Sequence, residues 1–358
     1  MKNILLIGPL PEPTTGVSLA NKVVLENLRD FNVDFINTSF NRFDEGLGEF
    51  SFKKAFFYLK INLYVLKIFK SNIVYITPGQ TFYGVVKYSL FIIVSHLLNK
   101  DIIIHVHGNY LGKQYSELKG LKKRIFKWLL KKTSKGIVLS ESLKNNMIPF
   151  IDKNKIYVLR NFVEDYVFVN KEKLSNKLLN NHLKIVYLGN LMEEKGIFNL
   201  LEALEVLEKE GVKYEAKIAG SIDIKNKERP YGFFSKLKNT EYLGVVKGNE
   251  KKNLLAWANI FVLPTYYTME GQPISILEAM ASGNVILTTK HAGIPDIFKD
   301  NKNGFFINKK DPNDIVKKIK MIYTNDKIKD IKQNNYYEAN QNYKVQTFIN
   351  NLSLILNA

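Results

Sequence analysis

A chain of 358 residues with 46% hydrophobic and 12% aromatic residues can bury a large apolar core, and its length suits two domains with a cleft between them. It has no cysteine, which excludes disulfides and thiolate metal sites and suits a reducing compartment. The formal net charge of +18 calls for an anionic partner (nucleic acid, a membrane surface or a phosphorylated substrate), unless lysine simply coats the surface.

Short β-branched runs alternate with longer helical patterns from the N-terminus onward, the signature of parallel sheets covered by helices. The chain enters an apolar strand at 4–7 directly and lacks the longer apolar stretch and small-residue cleavage site of a signal peptide, so a cytoplasmic protein is expected. Further strands are predicted at 33–36, 73–76, 102–106, 137–139 and 156–159, with helices at 17–28, 52–69, 84–98, 115–132 and 142–147. The run at 84–98 is interrupted by Lys87, Ser89, Ser95 and His96 and is shorter than the ~20 residues that cross a bilayer, so it is predicted to be a buried helix. Together these elements predict a first Rossmann-like domain over 1–163.

Two of its helices are amphipathic. Phe52, Phe56, Leu59, Leu63 and Leu66 recur at helical spacing beside Lys53, Lys54, Lys60, Lys67 and Lys70, and Leu118, Leu121, Ile125 and Trp128 recur within 113–135, which holds nine Lys or Arg and one Glu. Their apolar stripes are expected to face the first sheet, with the lysines in water or against anionic lipid headgroups.

Residues 164–183, rich in Lys, Asn and Glu, are expected to be a linker. The alternation restarts with strands at 185–188, 214–219, 241–243, 260–263, 285–288 and 305–307 and helices at 196–208, 249–257, 273–281 and 312–323, predicting a second Rossmann-like domain over 184–343. The last stretch, 344–358, reads as a C-terminal helix able to cross back to the first domain.

The strongest chemical signal follows the strand at 260–263. Glu270 lies in a loop, Gly271 lets backbone amides approach a ligand, Pro273 suits a first helical position, and Glu278 falls between one and two turns into the helix. Two carboxylates on such a connection suit sugar hydroxyls and a ribose diol, because α/β folds gather ligands at the carboxyl ends of strands. Equally, they can serve only the helix dipole and solvent. After the strand at 185–188, Gly189 permits a tight exit, Gly196 allows close packing, and Lys195 sits where a cation can neutralise a diphosphate, or where a surface lysine sits. Gly16 opens the first helix after a Pro-rich turn and can present amides to a phosphate or an acceptor. That turn does not fit G-x-G-x-x-G, so a nicotinamide reading loses its main support. His105 and His107 fall on one side of the strand at 102–106 and its exit, with His107 nearer the cleft; no neighbouring carboxylates favour metal ligation.

The string Glu270-Gly271-Gln272-Pro273, continued by Leu277-Glu278-Ala279-Met280-Ala281-Ser282-Gly283, resembles the signature of family-4 glycosyltransferases. Their GT-B fold is α/β, with two Rossmann-like domains facing across a cleft. Asn161-Phe162-Val163-Glu164, Ala292-Gly293-Ile294-Pro295-Asp296 and Asn303-Gly304-Phe305 extend the resemblance over nearly the whole chain. It implies that Glu270 contacts the donor sugar, that Glu278 holds the ribose and that His107 lies beside the reacting carbon. Catalytic roles then fall to His107, Glu270 and Lys195, and donor contacts to Gly16, Asn190, Lys195, Gly220, Glu270, Gly271, Gln272, Pro273, Ile274 and Glu278. The chain departs from the family at Asn190, where an Arg is usual, with Arg160 and Lys247 as substitute cations. It also departs at Thr15, where a second Gly is frequent, and at Phe162 and Glu164, which replace Gly and Asp.

The resemblance implies a retaining glycosyltransferase that moves a hexose-type sugar from a nucleotide-diphosphate donor, held by the second domain, to a glycan or lipid-linked acceptor held by the first. Cell-surface polysaccharide synthesis, of capsule or lipopolysaccharide, is the expected setting, with the protein cytoplasmic and peripheral on the inner face of the plasma membrane. No Asp-x-Asp is present, so no metal or other cofactor is expected beyond the nucleotide sugar. Nucleic acid is not expected as a partner, because no RNP, zinc or basic-zipper motif supports it. The alternatives are a GT-B nucleotide-sugar epimerase, a non-catalytic GT-B module and a basic nucleic-acid-binding protein.

Overall fold

The computed structural model describes residues 1–40, 52–179, 182–222, 228–325 and 327–358; positions 180–181 of the expected linker and the side chains of Lys53 and Lys54 lie outside the described residues. The chain divides into two compact units. The first comprises Met1–Asn161, Met269–Gln272 and Phe348–Ala358, and the second Phe162–Thr268 and Pro273–Thr347.

In the first unit, runs of Ile, Val and Leu too short for helices form six parallel strands: β1 (Asn3–Gly8), β2 (Asn32–Asn37), β3 (Ile73–Ile76), β4 (Asp101–Val106), β5 (Lys135–Val138) and β6 (Ile156–Val158). They pair in the order β2-β1-β3-β4-β5-β6. Interior strands such as β3 are buried at every residue, as a sheet covered on both faces requires, whereas β2 at the edge is largely exposed. The helices are α1 (Gly16–Asn27), α2 (Phe52–Asn62) tightening into a 3-10 segment at Leu63–Lys70, α3 (Phe82–Val86), α4 (Ser89–Leu97), α5 (Leu111–Glu117) and α6 (Gly120–Leu130). The expected single helix at 84–98 divides at Lys87–Tyr88, where the Tyr88 amide takes the short bond to the Val85 carbonyl. The one at 115–132 divides at Gly120, whose φ of +54° lies outside the helical region. Right-handed crossovers place α1 on one face of the sheet and α2 to α6 on the other, where α4 touches both the 3-10 segment and α6.

The first amphipathic stripe turns out to face solvent, a correction to the sequence reading, while the second divides between core and solvent. On α2 and its 3-10 continuation, Ile61 and Ile68 are buried with Phe57, Tyr58 and Val65 packed beside them, while Phe52, Phe56, Leu59, Leu63 and Leu66 are exposed. The segment carries two apolar faces, and the one bearing the compact branched residues meets the sheet. In and just before α6, Phe126, Leu129 and Leu130 are buried and Leu118 and Ile125 of the expected stripe pack against the same core, whereas Leu121 and Trp128 are exposed.

The second unit holds β7 (Lys184–Leu188), β8 (Glu215–Ala219), β9 (Thr240–Tyr242), β10 (Ile260–Leu263), β11 (Val285–Thr289) and β12 (Gly304–Ile307), parallel in the order β12-β11-β10-β7-β8-β9. Its helices are α7 (Lys171–Leu179), α8 (Ile197–Lys209), α9 (Glu228–Phe234), α10 (Gly248–Trp257), α11 (Ile274–Ala281), α12 (Pro312–Thr324) and α13 (Ile328–Asn342); α14 (Val345–Asn357) ends the chain. The stretch read as a linker therefore contains a helix. It is seated by Leu174 and by Lys177, whose buried ammonium donates to the Leu255 carbonyl at 2.9 Å and the Ser282 carbonyl at 2.6 Å.

Candidate functional site

Strand order in the second unit reverses between β7 and β10, which lie side by side while their successors run to opposite edges. Open α/β sheets take ligands at such a switch point, beyond the carboxyl ends of the strands. The loops leaving β7 and β10 carry most of the residues singled out in the sequence. Gly196 has φ +77°, and a Cβ there would lie 2.2 Å from the Pro264 carbonyl oxygen, so only glycine lets the two loops meet. The Tyr266 amide, donating to the Glu194 carbonyl at 2.8 Å, joins them further. Lys195 closes the short turn before α8, its ammonium 5.2 Å from the centre of the Tyr267 ring. Asn190 is held by its own polar atoms: its Oδ1 accepts from Ser221 Oγ at 2.9 Å and its carbonyl from Tyr187 Oη at 2.8 Å. Gly220, with φ +147°, crosses Gly189 so closely that a Cβ would fall 1.9 Å from the Gly189 carbonyl oxygen.

Pro273 precedes α11 as its capping residue and Ile274 is the first helical residue, one position later than expected. Glu278 sits on that helix with its side chain only 5% exposed, and Lys251 of α10, at 14%, donates to its Oε1 at 2.5 Å. Glu164 approaches the same ammonium at 3.5 Å, and the Tyr166 ring centre lies 5.5 Å from it. Burial opposes the charge on Lys251, but Glu278 and then Tyr166 outweigh it and hold the ammonium above its ordinary pKa. Among the described residues no hydrogen bond engages Glu278 Oε2. A buried carboxylate with one oxygen fixed by a cation presents the other in a set direction, as a vicinal diol needs.

In the first unit, the four residues Met269–Gln272 pack among the loops after β3, β4 and β5. Gln272 Oε1 accepts from the Asn161 amide and its carbonyl from Asn161 Nδ2, both at 2.7 Å, while Gln272 Nε2 donates to the Leu139 carbonyl at 3.2 Å. Gln80 Oε1 accepts from the Tyr110 amide at 2.6 Å, and its Nε2 donates to the Met269 carbonyl at 3.3 Å. A Cβ on Gly271 would come 2.3 Å from the His107 carbonyl oxygen, so glycine is what brings this loop against the β4 exit. Glu270, within the loop, is buried. The His105 and His107 rings lie 3.9 Å apart, and Tyr75 Oη is 2.5 Å from His105 Nδ1. His105 Nε2 and both ring nitrogens of His107 are buried without a hydrogen-bond partner among the described residues. Burial pushes His107 down to about 3, and burial followed by the repulsion of His107 holds His105 well below its ordinary value. Both imidazoles are therefore neutral at neutral pH. Unsatisfied buried nitrogens are costly, so a hydrogen-bonding group brought to these rings is favoured.

Gly16 opens α1 behind Thr15, whose hydroxyl already accepts from the Ser18 amide. Arg160 and Lys247 are both exposed. Sequence reasoning missed Lys251, Tyr166 and Gln80. Lys251 gives no signal in a chain where lysine is everywhere, and Gln80 is one polar residue in a loop; only the geometry distinguishes them.

Residues 168–342 match the model of a family described as glycosyl transferases group 1. The capsular polysaccharide biosynthesis glycosyltransferase CapM of Staphylococcus aureus is 27% identical over 206 residues, covering 54% of this chain and 53% of that protein. The amylovoran biosynthesis glycosyltransferase AmsK of Erwinia amylovora is 30% identical over 145 residues, covering 38% of this chain and 36% of that one. The chain thus spans from a third to about half of the length of such relatives. A solved structure of Anabaena HepE in complex with UDP-glucose superimposes with a TM-score of 0.73 at 16% identity, covering 100% of both chains. The fold is accordingly the GT-B α/β fold expected from the sequence, with two Rossmann-like units.

Proposed function

We propose, from the premise that residues 168–342 belong to the group 1 glycosyl transferases, that this chain is a glycosyltransferase using a nucleotide-diphosphate sugar. The observation that carries the reading is Glu278, a buried carboxylate at the switch point of the second unit with one oxygen fixed by Lys251. Its Oε2 accepts from the ribose diol, Lys195 neutralises the diphosphate, and the backbone around Gly189, Asn190 and Gly220 leaves room for it. Pro273 and Ile274 present the start of α11 to the same ligand. His107, neutral and unpartnered, hydrogen-bonds the donor sugar beside the reacting carbon, with Glu270, Gly271 and Gln272 supporting the sugar hydroxyls, and Gly16 contacts the donor through its amide.

Transfer proceeds with retention: the acceptor oxygen attacks the anomeric carbon from the face that the diphosphate leaves, and the departing diphosphate oxygen takes the acceptor proton. No metal takes part. The sugar is of hexose type, the acceptor a glycan or lipid-linked glycan held by the first unit, and the product a capsule-type or lipopolysaccharide surface polymer made at the inner face of the plasma membrane. The names of CapM and AmsK support that setting.

A thermal-shift panel of UDP-, GDP-, ADP- and dTDP-sugars tests the reading, because a ligand that binds only the native chain raises its melting temperature. One nucleotide class should stabilise the wild type, with EDTA leaving the shift and the transfer unchanged, and Glu278→Ala should abolish most of it. A panel that leaves the melting temperature unmoved, with Glu278→Ala indistinguishable from wild type, would remove the assignment.

A further inference from the structure

The helical layer on the far side of the first sheet from α1 exposes apolar residues that a protein in water normally buries. Leu63 is 77% exposed and Leu66 68% on the 3-10 segment, Leu97 is 73% exposed on α4, and Leu121 is 71% and Trp128 50% exposed on α6. These three elements are neighbours in one layer. Scattered apolar residues on a surface need no explanation, but a row of them along adjacent helices marks a surface that meets something apolar.

Charge identifies the partner. From 52 to 100 the sequence holds seven lysines and no Asp or Glu. Asp34 on β2 pairs with Lys67 of the 3-10 segment at 2.8 Å. On α6, Lys132 lies 4.3 Å from the centre of the exposed Trp128 ring. Apolar side chains rimmed by lysine, with an aromatic ring that presents both an apolar body and a polar edge, match the boundary between acyl chains and anionic headgroups. A protein partner of equal apolarity would leave the lysines without counter-charges. No helix among the described residues is long and apolar enough to cross a membrane, so the contact is with the surface plane.

We infer that this layer docks the first unit on an anionic bilayer, with Leu63, Leu66, Leu97, Leu121 and Trp128 entering the headgroup boundary and the lysines pairing with lipid phosphates. The inference rests on the lipid-linked-acceptor reading and sharpens it: the surface, not an added anchor, brings the first unit to an acceptor confined to the membrane. It departs from the sequence expectation, in which the apolar stripes face the sheet and only the lysines and a few rim aromatics touch headgroups.

The test is co-sedimentation of the full chain with vesicles of phosphatidylcholine containing phosphatidylglycerol, against phosphatidylcholine alone, at low and high salt. Binding should require phosphatidylglycerol and weaken with salt, each lysine removed weakening it about fivefold, as Lys60→Glu with Lys70→Glu reports. Leu63→Ser with Leu66→Ser should cut binding about tenfold or more at every salt concentration, since apolar insertion is not screened. Both double variants lie on exposed side chains outside the donor site, so their nucleotide-sugar thermal shift should equal that of wild type. Absence of vesicle binding with the donor shift intact overturns this inference alone, and a missing donor shift with vesicle binding intact overturns the enzyme reading alone. Binding lost in the lysine variant but untouched by the leucine variant refutes insertion. A dimer in light scattering that the leucine variant dissolves, with no vesicle binding, assigns the layer to a second copy and overturns the inference as well.

Discussion

Lys251→Met should be the most informative single substitution in the second unit. The residue is 14% exposed, touches Glu278 at 2.5 Å and stands 3.5 Å from Glu164. Two unit charges about 4 Å apart at an effective dielectric near 20 attract by about 4 kcal/mol, and removing one partner of a buried pair costs about 3–5 kcal/mol because the other charge stays behind unpaired. Methionine keeps the aliphatic volume, so the loss is electrostatic and leaves no large cavity. We therefore expect Lys251→Met to lower stability in urea by about 4 kcal/mol, Glu278→Gln by about 2 kcal/mol because Glu164 still pairs with the ammonium, and the double variant by less than their sum. Nucleotide affinity should fall about tenfold in Lys251→Met, since the carboxylate proposed to hold the ribose loses the cation that orients it. The measurement is a double-mutant cycle by urea unfolding, with nucleotide titration calorimetry on the same samples. If each single change costs under about 0.5 kcal/mol and the two simply add, the pair does not organise this site and the reasoning fails.

Three further outcomes follow from the geometry. Glu278→Ala should weaken nucleotide binding about 30-fold in a fluorescence titration, while Glu270→Ala mainly lowers kcat; the reverse pattern would exchange their roles. Gly271→Ala, whose Cβ would fall 2.3 Å from the His107 carbonyl oxygen, should displace the loop carrying Glu270 and reduce turnover about 100-fold with nucleotide affinity nearly unchanged. Because His107 is pushed down to about 3, the unfolded chain binds its proton first on acidification. Its stabilising effect is complete above about pH 6.5 and lost as pH falls through the window below, by about 2 kcal/mol at pH 5, with His105 adding in the same direction. Melting temperatures followed from pH 8 to 5 should therefore decline less in His107→Asn, and an unchanged slope would show the imidazole to be solvated.

The twelve strands among the described residues were legible to within two residues at either end; the interior ones are buried on both faces and have to be spelled largely in Ile, Val and Leu, and the edge strands β2 and β9 were placed by the alternation with helices. The helices fared unevenly for a physical reason. Helix α13 escaped notice because the face it buries is mixed: beside Ile328, Ile331, Tyr336 and Ala339, Lys332 donates to the Lys177 carbonyl at 3.1 Å, and Asn335 Nδ2 donates to the carbonyls of Asn284 at 2.7 Å and Asn303 at 2.8 Å. Hydrogen bonds share the seating with apolar area, and a periodicity of hydrophobic residues registers only the second. The stripe on α2 posed the converse problem, since its pattern was read correctly and its direction was not. For the candidate site, the string from Glu270 to Gly283 singled out two carboxylates that the structure buries, but an ion pair formed across 27 positions, Lys251 with Glu278, leaves no trace in local spacing.

One buried amine outside the candidate site acts as a strut behind this arrangement. Lys177 grips a carbonyl in the last turn of α10 and another at the end of α11, the two helices on which Lys251 and Glu278 ride. The spacing of donor and acceptor is thus gauged from the opposite ends of their helices. Shortening or blocking that amine would let the helices slip past one another, and the proposed nucleotide site would register a disturbance that no contact map centred on it contains.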